Sequence, residues 1–78
     1  MRHDNTLERH REKIEELVLP SEVDDVMRSS REIANDLGLH IEKMLVRVEE
    51  YLEMGYASDE AVVQAGLALF EETTNLPA

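Results

Sequence analysis

The sequence has no cysteine, which excludes disulfides, thiolate catalysis and cysteine-ligated zinc. It has no tryptophan and aromatic residues make up only 4% of it, so any core must be built from aliphatic side chains and methionine. Its three glycines form no phosphate-cradling loop, and its two prolines leave long stretches free to be helical. No apolar run approaches the roughly 18 residues that a membrane span requires. No basic start followed by an apolar stretch reads as a signal peptide. A soluble cytoplasmic protein is expected, without a membrane partner. Positive charge is scarce as well: eight Lys and Arg stand against eighteen Asp and Glu, for a formal charge of −10. Nonspecific nucleic-acid binding draws on Lys and Arg neutralising phosphates, so this chain would be repelled by DNA unless its few cations cluster on one face.

A chain of 78 residues allows one domain and buries only roughly 60% of its unfolded surface, so a second copy or a partner that adds core is a reasonable expectation. Punctuation divides it into four segments with helical patterning. The first runs from about Thr6 to Leu19, with Leu7, Ile14, Leu17 and Val18 on one side and charged residues over most of the rest. Pro20 is expected to stop it, and Ser21 to cap the next helix in an acidic capping box with Asp24. The second segment spaces Val23, Val26, Met27, Ile33, Ala34 and Leu37 at three and four residues, and Gly38 supplies the C-terminal cap. The third does the same with Ile41, Met44, Leu45, Val48, Tyr51 and Leu52 and ends at Gly55, although Met44, Val46 and Val48 also alternate as a short strand would. The fourth, after Ser58 as N-cap, is apolar from Ala61 to Phe70 at every position except Gln64. A helix apolar on all sides must be surrounded, and a dimer interface that wraps it is the simplest way to do so.

Chemistry-bearing constellations are few. His3, His10 and His40 form no pair four apart on a helix face, and no zinc motif or calcium loop occurs. Met1-Arg2-His3 has the free amine and third-residue histidine that can hold Cu(II) or Ni(II), but at a chain end it reads as incidental. The many carboxylates lie on amphipathic helices as solvated faces, whereas acid–base catalysis needs an enclosed pocket that shifts their pKa values. No metal, cofactor or enzymatic activity is expected.

Residues 37–72, LGLHIEKMLVRVEEYLEMGYASDEAVVQAGLALFEE, resemble the C-terminal part of the ParD-type antitoxins, ribbon-helix-helix proteins of toxin–antitoxin pairs. The match lies in Leu37-Gly38 with His40 before a helix, in Gly55-Tyr56 and Ser58, and in Val62-Val63, Ala65-Gly66-Leu67, Leu69 and Glu71-Glu72. The resemblance implies two helices intertwined with those of a second copy, and a small regulator that neutralises a partner protein. It also implies a basic strand before the first helix that enters the major groove, whereas Ser30 to Asp36 here read as helix and carry Glu32 and Asp36. A second resemblance, over residues 30–49, is to a helix-turn-helix. Ala34 is the small residue of the first helix, Gly38 falls at the turn, and Ile33, Leu37, Leu39 and Met44 take the apolar positions. Its second helix would offer His40, Lys43 and Arg47 to DNA, together with Glu42, Glu49, Glu50 and Glu53.

The expectation is therefore an all-α chain of three to four short amphipathic helices, dimeric, with the last helix buried at the interface through Val62, Ala65, Gly66, Leu69 and Phe70. Residues 1–20 form an acidic amphipathic helix or arm, 21–74 the helical core and dimerisation domain, and 75–78 a tail. The arm is expected to meet a partner protein with a basic surface, through Leu7, Ile14, Leu17 and Val18 and the carboxylates Glu8, Glu12, Glu15 and Glu16. Any DNA contact would fall to Arg28, Arg31, Lys43 and Arg47. Two alternatives stay open: an acidic adaptor or inhibitor that mimics nucleic acid and binds none, and a helix-turn-helix transcriptional regulator.

Overall fold

The structure is a computed structural model that describes residues 5–74; the Met1-Arg2-His3 arrangement and the expected 75–78 tail lie outside these residues. Among the described residues four helices follow one another: α1 (Asn5–Leu17), α2 (Pro20–Leu37), α3 (Ile41–Glu53) and α4 (Ser58–Thr74). There is no strand among the described residues, and Lys43 to Val48, which could also alternate as a strand, are helical.

The helix ends follow from local chemistry. Pro20 serves both sides of the joint. Helix α1 has ended by Leu17, as expected of a helix running into this proline, which holds Leu19 extended at φ −67°, ψ 148°. Pro20 itself opens α2 in the first turn, where its missing N–H is not needed. Leu19, with no side-chain cap bond, takes the N-cap position that Ser21 was expected to fill. Gly38 closes α2 in the left-handed region at φ 70°, and the Leu39 N–H donates to the Ala34 carbonyl at 2.7 Å. His40 then caps α3, its Nδ1 accepting from the Glu42 N–H at 3.3 Å. Beyond α3 the Tyr56 N–H donates to the Tyr51 carbonyl at 3.1 Å, and the two rings meet edge to face with centroids 5.1 Å apart. The Ser58 hydroxyl does not cap α4 but donates to Glu22 Oε1 at 2.8 Å, tying the start of α4 to the start of α2.

Helices α2 and α3 form the middle of the molecule. Each packs against the other and against both outer helices, while α1 and α4 do not touch. The core draws Ile14 from α1, then Val23, Val26 and Ala34 from α2. It takes Met44, Leu45, Val48 and Leu52 from α3, and Ala61, Val62, Ala65 and Leu69 from α4. Met44, Leu45 and Val48 are completely enclosed, each contributing roughly 1.5–3 kcal/mol of burial. Helix α4 packs tightly on α2 at Gly66, where an added Cβ would lie 2.7 Å from Ile33 Cγ2.

Candidate functional site: the acidic exterior and the open face of α4

The residues expected to meet a partner on α1 are divided by the fold. Ile14 is fully enclosed, and Leu7, Leu17 and Val18 are partly buried against the same core, so the apolar side of α1 is turned onto the chain's own helices. Ile14, expected to meet a partner, instead faces neighbours that exclude water from it. Glu8, Glu12, Glu15 and Glu16 are all exposed on the opposite side.

Three cationic or basic side chains pin α1 down. His10 Nδ1 donates to Glu49 Oε2 at 2.6 Å, Arg11 Nη2 to Asp24 Oδ1 at 2.7 Å, and Lys13 Nζ lies 3.0 Å from Glu53 Oε2. The hydrogen bond that Arg11 donates to Asp24 raises the Arg11 pKa, and the one that Lys13 donates to Glu53 raises that of Lys13. These pairs join α1 to α2 and α3 across sequence distances that no helical spacing reveals.

Two of the four candidate DNA contacts, Arg28 and Arg47, are engaged with the chain itself. Arg47 bonds to Glu72 of α4 and to Glu50 at 3.2 Å, and its pKa is raised first by the Glu72 bond. Arg28 lies 2.6 Å from Asp25. Arg31 and Lys43 are exposed and form no ion pair among the described residues. Where the antitoxin resemblance implies a basic strand, residues 30–36 lie in α2, with Ser30 and Ala34 facing the core. Arg47 holding Glu72 instead of projecting freely lowers what α3 could offer to a phosphate.

Of the five residues expected at a dimer interface, Val62, Ala65, Gly66 and Leu69 are buried within the chain itself, against α2 and α3. Phe70 alone is open, at 38% exposure. With it stand two residues outside the expected interface set, Val63 at 49% and Leu67 at 51%. Positions 63, 67 and 70 share one side of a helix, so the apolar run of α4 splits into an inner face of small residues and an outer strip of large ones. Leu37 of α2 adjoins the strip, since its Cδ1 lies within 3.9 Å of where a Gly66 Cβ would stand. The division was latent in the sequence: Ala61, Ala65 and Gly66 mark the side on which a neighbouring helix can come close.

The cleft between α2 and α4 continues this face toward the helix starts, where Glu22, Asp25 and Asp59 line it beside Ser29 and Val62. No group of three or more His, Asp or Glu among the described residues could hold a metal ion. None of the described helices is long and apolar enough to cross a membrane. No family model, curated protein or solved structure matches this chain.

Proposed function

We propose that this chain is a small acidic regulatory protein that works by binding, engaging a partner protein through a basic surface on that partner. The observation that carries this reading is how the few cations are used. Arg11, Lys13, Arg28 and Arg47 are each paired with a carboxylate of the chain itself, and Arg11, Lys13 and Arg47 hold one helix to another. Among the described residues Glu8, Glu12 and Glu16 of α1, and Glu60 and Glu71 of α4, are exposed without an ion pair. The exterior is thus left strongly negative, which speeds encounter with a positive surface and repels nucleic acid. The resemblance of residues 37–72 to ParD-type antitoxins agrees with a regulator of this kind, the neutralised partner being the basic member of the pair.

The test is affinity capture from the native host with elution along a salt ramp, in parallel with a gel shift against duplex DNA from upstream of the gene. The proposal expects a single protein of net positive charge, released as salt rises because exposed charge pairs are screened, and no shifted DNA at low salt. A neutral or acidic partner, or a specific shift of the DNA by this chain without its partner, would overturn it.

A further inference from the structure

Resting on that reading, we infer that the outer strip of α4, Val63, Leu67 and Phe70 with Leu37 of α2, is a docking face for a cationic amphipathic helix of the partner. An apolar strip this exposed on so acidic a chain combines two features of a helix-binding surface: side chains to desolvate an apolar ridge and carboxylates to meet charges beside it. Glu60 precedes Val63 by three residues and Glu71 follows Leu67 by four, so both carboxylates border the strip along α4. On the other side Asp36 stands three residues past Ile33, which packs at Gly66. Helix α4 has no Lys or Arg at all. On α2, Arg28 is already held by Asp25, and Arg31 lies two residues before Ile33 and so points away from this face.

The chain itself shows what such a surface accepts. Helix α1 lies on the other side of the α2–α3 pair, with an apolar ridge of Leu7, Ile14 and Leu17 inward and His10, Arg11 and Lys13 reaching carboxylates of α2 and α3. An apolar ridge flanked by cations is the chemistry this bundle already holds, and the α2–α4 face repeats the receiving half of that arrangement with no helix upon it. A second copy fits the same face less well. Pairing α4 with α4 brings Glu60 and Glu71 of both copies together with no cation on either helix to offset them, and like charges at close quarters oppose association.

The test uses the full chain and a synthetic amphipathic peptide of about four helical turns, with Leu at three- and four-residue spacing and Lys and Arg elsewhere. A control peptide has the same composition in an order that breaks the ridge. Amide shifts on titration should map to α4 and the C-terminal half of α2, and the control should bind at least about tenfold more weakly. The double variant Leu67→Gln/Phe70→Gln alters only exposed side chains, so it should keep the parent's circular dichroism and melting while binding the peptide about tenfold less tightly. Equal affinity for the two peptides, or for the variant, overturns the inference. So does a concentration-dependent dimer of the free chain, seen by sedimentation and abolished in the double variant, since a second copy would then own the face. The two proposals fail separately. A captured basic partner whose binding ignores Leu67→Gln/Phe70→Gln removes this site and leaves the proposed function standing; a partner that is not basic removes the proposed function whatever the peptide does.

Discussion

Replacing Gly66 by alanine sets two effects against each other. Alanine in a helix interior is favoured over glycine by about 1 kcal/mol, because glycine loses more backbone freedom on folding. Against this, the new Cβ would lie 2.7 Å from Ile33 Cγ2, when carbon atoms prefer a separation of about 3.5–4.0 Å. Ile33 is β-branched, so its Cγ2 cannot swing aside without leaving a preferred χ1 well or moving α2. Overpacking of this kind costs about 1–3 kcal/mol, so Gly66→Ala should be destabilising overall by about 1 kcal/mol. In a domain this small that lowers the melting midpoint by about 4–8 °C. Ile33→Ala removes the offending methyl, and in that background the propensity gain should stand alone, making Gly66→Ala stabilising by up to about 1 kcal/mol. Urea unfolding of the four proteins in the cycle measures both changes and their difference. If Gly66→Ala stabilises the parent, or shifts both backgrounds equally, then α2 and α4 are not in the close approach on which the split of α4 into inner and outer faces depends.

Ser30 is completely buried and its hydroxyl has no hydrogen-bond partner among the described residues, so Ser30→Ala should raise stability by about 1 kcal/mol in urea unfolding; a loss would mean the hydroxyl is satisfied in solution. Ile14→Ala should cost about 2–5 kcal/mol, because Ile14 is fully enclosed, and a cost below about 0.5 kcal/mol would show that α1 is appended and not part of the core. The Lys13 pKa is raised from its ordinary 10.5 by Glu53, so the pair's contribution is complete below that pH and is lost as the pH climbs through the folded-state value. As the pH climbs above 10.5, therefore, α1 amide exchange corrected for its intrinsic pH dependence should rise more in the parent than in Lys13→Met, and identical profiles would refute the role of the pair.

What the sequence made legible was set by short-range chemistry. The stripes through Val23, Val26 and Ala34 and through Met44, Leu45, Val48 and Leu52 announced their helices, and Gly38 and Gly55 their ends, because capping and periodicity act over one or two turns. Pro20 ended α1 as expected, but it also fits the first turn of a helix, which moved the N-cap of α2 back from Ser21 to Leu19. The run Ala61 to Phe70 hid its orientation: with apolar residues all round, periodicity carries no phase, and only residue size distinguishes the packed side from the open one. The ions holding α1 were invisible for a different reason. His10 and Glu49, or Lys13 and Glu53, are brought together by the packing of α1 on α3, which a linear pattern of charges does not encode.

That α1 and α4 never meet has a consequence for how disturbance spreads through the molecule. Each outer helix feels the other only through α2 and α3, so energetic changes at Ile14 and at Phe70 should sum when combined, within about 0.5 kcal/mol. Any departure from that sum would be a direct reading of how far the central pair yields as one body. A chain so arranged behaves as a short series of nearest-neighbour couplings, in which an event at one flank reaches the other only by bending the middle.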